Sequence, residues 1–162
     1  MLPRIFTLPA LLTLNFAIKF WGAIRPLQFT DGHAIPDDAY LCLTIARNMA
    51  RGLGPLYGLD FTNGFQPLYV FIMTPVFWLF PNDHFAPAHA GLIVGVIFDT
   101  ATLYLLFKLI SGFAQSRATP ILISLAWIFG FSIIRTALNG METAISMFLI
   151  ELAYYYYQRF RQ

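Results

Sequence analysis

The stretch APAHAGLIVGVIFDTATLYLLFKLI, residues 86–110, decides the fold class of this chain. Asp99 and Lys108 are its only charged residues, and the run exceeds the ~20 residues that a helix needs to cross the hydrocarbon of a bilayer. It therefore predicts a transmembrane helix. Ionisable groups inside such helices are costly and are usually paired. Lys19, in the first apolar run, either reaches Asp99 across the bundle or extends its ammonium group to the outer interface.

The composition agrees with a membrane protein. The chain has 162 residues, of which 58% are hydrophobic and 11% charged, whereas about a quarter of the residues in a soluble domain carry charge. A net charge of +2 with scattered basic residues argues against nucleic acid as a partner. The single cysteine, Cys42, cannot form an internal disulfide.

Further apolar runs extend this prediction to the whole chain, which reads as one membrane domain, 1–162. The predicted spans are 5–24, 86–110, 119–138 and 143–157. Segment 66–80 has 15 residues and contains Pro67 and Pro75, so it is too short for an ordinary span. The expected fold is an all-α membrane protein with about four transmembrane helices, a juxtamembrane helix and a re-entrant or interfacial hairpin.

The basic residues predict the orientation. If 66–80 does not cross, five of them share the cytoplasmic side, as the positive-inside rule requires. The long polar loop 25–66 and Glu142 then face the exterior together. The five cytoplasmic residues are Arg4, Lys108, Arg117, Arg159 and Arg161.

Inside this external loop, residues 38–51 repeat with a helical period and predict a helix lying on the membrane surface. Asp37 occupies the expected N-cap position and Gly52 the position of a C-terminal glycine. The predicted apolar face carries Leu41, Ile45 and Met49, and the predicted polar face carries Tyr40, Thr44, Arg47 and Arg51.

Three acids on one membrane face, Asp37, Asp38 and Glu142, can supply a general base and a charge or metal partner at the water boundary. Asp37 can equally be a helix cap, Asp38 can favour the helix dipole, and Glu142 can simply mark the boundary of a span. A leaving phosphate requires cations. Arg47, Arg51 and, near the outer end of the third span, Arg135 fit that role, although Arg47 and Arg51 can also anchor the helix to anionic headgroups.

Three motifs in order resemble bacterial membrane glycosyltransferases of the GT-C fold, in particular the protein mannosyltransferase and lipid A aminoarabinose transferase group. They are Pro36-Asp37-Asp38-Ala39-Tyr40 with Thr44-Ile45-Ala46-Arg47-Asn48, then Thr62-Asn63-Gly64-Phe65-Gln66-Pro67-Leu68, and Asn139-Gly140-Met141-Glu142-Thr143-Ala144. Members often carry a basic residue around the position of Phe65 or Gln66, where this chain has none.

The resemblance implies a polyprenyl-phosphate sugar as donor and transfer at the periplasmic face of the bacterial inner membrane. By motif position Asp37 is the essential acid, Asp38 its neighbour and Glu142 the second acidic position, with Asp37 and Glu142 as ligands if a divalent metal takes part. Such enzymes have further spans, so the chain is expected to match their N-terminal part. The alternative is a non-catalytic membrane scaffold or accessory subunit, with other membrane subunits supplying the missing spans.

Overall fold

The computed structural model describes residues 4–161, with side chains from residue 7 onward. This part of the chain forms seven α-helices, a 3₁₀ turn at Leu27–Phe29 and a small antiparallel ribbon. The helices are α1 (Arg4–Ile24), α2 (Asp37–Ala50), α3 (Pro67–Leu79), α4 (Ala86–Phe113), α5 (Ala118–Phe129), α6 (Phe131–Ala137) and α7 (Thr143–Phe160).

Two helices are long and apolar enough to cross a membrane: Thr7–Ile24 within α1, and the 28 residues of α4. They confirm the two predicted helices at 5–24 and 86–110. The predicted span at 119–138 is not one straight helix, because the chain bends by 63° at Gly130 between α5 and α6. Glycine is a poor helix former, so it readily interrupts an apolar helix. If the bent pair counts as one span, the described residues contain three candidates.

The loop before α3 contains the only strands in the described part of the chain. Strands β1 (Leu56–Tyr57) and β2 (Asp60–Phe61) pair antiparallel around a turn in which Gly58 has a φ of +68°. The two strands have two residues each, so the structure is consistent with the all-α prediction. Helix α3 has 13 residues and is about 20 Å long, which is shorter than the ~30 Å hydrocarbon core.

Helix α4 is the centre of the bundle, since it contacts all six other helices. Leu92 and Val96 of α4 pack with Ala23 and Leu138 in one buried cluster, and Leu103 packs with residues of α1 and α5 in another. A third cluster joins α2 to α3. Helix α4 therefore holds α1, the α2–α3 pair and α7 in one arrangement.

A buried polar cluster ties α1, α4 and α5 together inside this bundle. Lys19 Nζ lies 2.5 Å from Asp99 Oδ2, and Asn15 Nδ2 donates to the same oxygen at 2.9 Å. Trp127 Nε1 donates to Asp99 Oδ1 at 3.1 Å. The predicted pairing of Lys19 with Asp99 is confirmed. Lys19 is 0% exposed, so its alternative extension to the interface is wrong.

Candidate functional site

Helix α2 positions the acids of the first motif. Its N-cap is Pro36, and Asp37 is the first helical residue, so the expected N-cap role of Asp37 is wrong. Asp37 and Asp38 are exposed in the first turn, where the helix dipole favours negative charge. Neither side chain caps the helix.

The end of α2 matches the prediction. Gly52 has a φ of +76°, and its N–H donates to the carbonyl of Met49, while the N–H of Leu53 donates to that of Asn48. These two bonds form a Schellman motif, which needs a left-handed residue after the helix. Gly52 therefore ends α2 as its position in the sequence predicts.

The buried face of α2 is rotated from the predicted stripe. Ile45 is fully buried as predicted, but Leu41 and Met49 are only partly buried. The remaining buried positions are Ala39, Cys42, Leu43 and Ala46. Small residues at Ala39 and Cys42 let other segments approach α2 closely.

Two side-chain hydrogen bonds bring the three sequence motifs together. The Cys42 thiol donates to Gln66 Oε1 at 2.7 Å and joins the first motif to the second. The Tyr69 hydroxyl donates to the Gly140 carbonyl at 2.6 Å and joins α3 to the third. Residues 36–48, the motif 62–68 with the adjoining Tyr69, and residues 139–144 thus meet at one end of the bundle.

Glycines at two positions make this meeting possible. A Cβ on Gly91 would lie 2.6 Å from the Tyr69 hydroxyl oxygen, which leaves no room for a side chain there. Gly140 has a φ of +64°, and a Cβ built on it would lie 3.7 Å from Ala39 Cβ. The third motif therefore packs directly against the first turns of α2.

Glu142 lies just before α7 and is half-buried, with Oε2 buried and without a hydrogen-bond partner among the described residues. Burial raises the pKa of the Cys42 thiol. The hydrogen bond to Gln66 opposes this increase, and the negative charges of Glu142 and Asp38 add to it. Burial likewise raises the pKa of Tyr69, with smaller contributions from Cys42 and Glu142. Asp38 and Glu142 therefore act electrostatically on the same thiol, and Cys42 stays protonated near neutral pH.

Asp37 belongs to a second, more exposed group of polar side chains around Tyr40. Tyr40 donates its hydroxyl to Asp31 Oδ1 at 2.9 Å. Desolvation, that hydrogen bond and the charges of Asp31 and Asp37 raise the pKa of Tyr40 to about 12. The Tyr40 hydroxyl is therefore neutral over the physiological range, and Asp37 lies in an acidic, water-accessible environment.

The arginines of α2 line a groove with a volume of about 170 Å³. Arg47 and Arg51 line it together with Tyr40 and Thr44, so all four residues of the predicted polar face share one surface. Arg47 Nε is buried and has no hydrogen-bond partner in the described chain. The opposite wall includes the segment before α4, with Asp83 and His84.

Arg135 is separate from this groove. It is exposed in the last turn of α6 and is absent from the lining residues. The structure thus joins two of the three predicted phosphate ligands and leaves the third apart.

The described residues offer few candidate ligands for a metal ion. Across residues 4–161 no three His, Cys, Asp or Glu side chains are grouped so that they could hold a metal ion. The predicted ligands, Asp37 and Glu142, are two carboxylates, and the unpartnered Oε2 of Glu142 is an oxygen of the kind that Mg²⁺ or Ca²⁺ prefers. Two protein ligands are typical of Mg²⁺ sites completed by water and substrate phosphate.

Sequence reasoning did not identify Tyr69, Cys42 or Gln66 as the residues that connect the motifs. One signal was available for Tyr69: a tyrosine inside an apolar run usually finds a partner for its hydroxyl when buried. Comparison with protein families, with curated proteins and with solved structures finds no match to this chain.

Proposed function

We propose that this protein is a membrane glycosyltransferase that uses a polyprenyl-phosphate sugar at the external face of the bacterial inner membrane. The observation that carries the proposal is the convergence of its three motifs. Cys42 bonds to Gln66 and Tyr69 bonds to Gly140, so segments that are distant in sequence pack together, and the first of them also carries the two arginines of the groove.

In the proposed reaction Asp37 accepts the proton of an acceptor hydroxyl. The acceptor oxygen then bonds to the anomeric carbon of the sugar, and the bond from that carbon to the phosphate oxygen breaks with inversion. Asp37 suits this role because it is exposed and makes no helix cap. A general base needs an accessible carboxylate within reach of the substrate.

Arg47 and Arg51 hold the departing phosphate in this proposal. Among residues 7–161 neither forms an ion pair, and Arg47 presents an unpartnered Nε. Guanidinium groups bind phosphate through several parallel hydrogen bonds, and developing negative charge on the leaving group is stabilised by cations already in place. A divalent cation at Asp37 and Glu142 stays a prediction, and the steps above do not require it.

The proposed topology has four spans, with α3 at the outer interface. The short length of α3 and the bend between α5 and α6 are compatible with an irregular outer surface over the bundle. Single cysteines at Asp60 and Gln115, introduced with Cys42→Ala, test it. An impermeant thiol reagent applied to right-side-out vesicles should label position 60 and not position 115, and the reverse pattern would invert the proposed orientation.

The activity is tested by incubating the purified protein with a panel of polyprenyl-phosphate sugars and hydroxyl acceptors, with and without chelator. Transfer by the wild type should fall at least 100-fold in Asp37→Asn, since general base catalysis contributes about 10²–10⁴-fold. Asp60→Asn removes an equally exposed acid from the same loop and should stay within twofold.

Two outcomes contradict the proposal. Equal transfer by Asp37→Asn and the wild type would remove Asp37 from the chemistry. No transfer with any donor, combined with a stable complex with other membrane proteins, would favour the alternative of a membrane scaffold or accessory subunit.

A further inference from the structure

The charges outside the helix interiors are distributed unequally between the two ends of the bundle. Asp99 and Glu151 lie in the interiors of α4 and α7. The other six acids lie in 25–66, which includes the first turn of α2, in the link before α4 or in the link before α7. The opposite end, where α4 finishes and α5 begins, carries Lys108 and Arg117 without an acidic residue in 100–141. This end is about 40 Å along the 28 residues of α4 from Ala86.

A cavity of about 290 Å³ opens at this end between α1, α4 and α5. Lys108 and Arg117 line it from two different segments, together with the hydroxyl-bearing residues Ser111 and Ser116. The remaining lining residues are Thr7, Leu8, Phe107, Ala114, Pro120 and Ile121. The cavity therefore combines a cationic, hydrogen-bonding part with an apolar wall.

The basic groups of this cavity, which we name the α4–α5 cavity, are not paired with any acid in residues 7–161. The one ion pair among residues 7–161 joins Lys19 to Asp99, so neither Lys108 nor Arg117 has a carboxylate partner there. Lys108 Nζ lies 6.0 Å from the centroid of the Tyr104 ring. Ser116 Oγ accepts the Ala118 N–H at 3.2 Å, which leaves its own hydroxyl proton available for donation.

We infer that the α4–α5 cavity binds the headgroup of an anionic phospholipid. Lys108 and Arg117 contact the phosphate, the two serines hydrogen-bond to the headgroup, and an acyl chain follows the apolar wall of Leu8, Phe107 and Ile121. Basic pockets between transmembrane helices recognise anionic headgroups in this way. The cavity lies at the C-terminal end of α4, whose 28 residues exceed the ~20 that a transmembrane helix needs. Lipid binding there does not depend on the proposed transfer activity.

The test is native mass spectrometry of the purified protein in non-ionic detergent, titrated with phosphatidylglycerol, with phosphatidylcholine and with inorganic phosphate. We expect one phosphatidylglycerol to bind in preference to phosphatidylcholine and to resist displacement by inorganic phosphate. Lys108→Gln with Arg117→Gln should weaken phosphatidylglycerol binding about 30-fold, as expected for two basic groups near an anionic headgroup.

The matched control is Arg25→Gln with Arg161→Gln, which removes the same charge from residues outside the cavity and should change binding less than threefold. Lys108→Arg with Arg117→Lys keeps the charge and should retain binding; if the glutamine pair does not fold, Arg117→Gln alone should weaken binding about fivefold. Equal weakening in the control, unchanged binding in the glutamine variants or equal binding of phosphatidylcholine would each overturn the inference. Displacement by inorganic phosphate at lipid concentrations would assign the site to a free anion instead.

Discussion

Breaking the buried Lys19–Asp99 pair should destabilise the bundle, while removing both charges should cost less than removing Asp99 alone. Lys19 is 0% exposed and Asp99 5%, so neither charge has water to compensate the loss of its partner. Removing one member of a buried pair typically costs about 3–5 kcal/mol, whereas replacing both by apolar residues is often neutral. The prediction therefore concerns the coupling between the two substitutions.

The structure ranks the single variants. Lys19→Met leaves Asp99 with two donors, Asn15 at 2.9 Å and Trp127 at 3.1 Å, so we expect a loss of ~3 kcal/mol. Asp99→Leu leaves Lys19 without its one hydrogen-bond acceptor in the described chain. It also removes the acceptor of the Trp127 N–H, whereas Asn15 keeps its bond to Thr100. This variant should lose ~5 kcal/mol.

The assay is reversible unfolding in mixed micelles with increasing SDS, followed by circular dichroism. The double variant Lys19→Met/Asp99→Leu should be at least ~1 kcal/mol more stable than Asp99→Leu alone, because it buries no unpaired charge. If the losses of the two single variants simply add in the double variant, the pair does not interact as the structure indicates. A fully stable Asp99→Leu variant would refute the buried location of Lys19.

Two further predictions concern the ends of α2 and α4. Ala39→Cys with Gly140→Cys, in a Cys42→Ala background, should form a disulfide under mild oxidation, because a Cβ at Gly140 lies 3.7 Å from Ala39 Cβ and disulfides need about 3.5–4.5 Å. The φ of +64° at Gly140 is unfavourable for cysteine, so the reduced variant should be less stable than the wild type. Gel mobility after protease cleavage would detect the cross-link, and its absence would contradict the contact between the first and third motifs. Asp83 accepts hydrogen bonds from the N–H groups of Ala86 and Phe85, which lower the pKa of its carboxyl from the ordinary value of 3.8. The stabilisation from Asp83 is therefore complete above pH 3.8 and is lost as the pH falls through the lower folded-state pKa. The difference in stability between the wild type and Asp83→Asn should disappear in acid, and a difference independent of pH would contradict this role.

The helices that are defined by the length of an apolar run could be predicted from the sequence. Uninterrupted apolar runs define α1 and α4 because only their length and lack of charge matter. The bend at Gly130 could not be located in the same way, since the run around it is apolar on both sides. The bend comes at a glycine, whose helix propensity is low, and hydropathy does not report that property.

The candidate site likewise contains features that the sequence predicts and contacts that it does not. The polar face of α2 was predictable because Tyr40, Thr44, Arg47 and Arg51 follow the helical period. The bond from Tyr69 to Gly140 spans 71 residues, and it requires the space that Gly91 leaves beside α4. Such a contact follows from how helices pack rather than from spacing along the chain.

The helix start illustrates a local error of the same kind. An aspartate before a helical repeat usually predicts an N-cap. Here Pro36 has extended backbone angles and takes that position, so Asp37 is already helical. Because the Asp37 carboxylate makes no capping bond, it is available for its proposed role as a base.

The most direct test of the central claim is the rate of sugar transfer from a polyprenyl-phosphate donor by Asp37→Asn, measured beside the wild type and Asp60→Asn in one membrane preparation. The proposed function predicts that Asp60→Asn transfers sugar at the wild-type rate and that Asp37→Asn, equally abundant and folded, transfers at least 100-fold more slowly. Transfer by Asp37→Asn at the wild-type rate would contradict the proposed site.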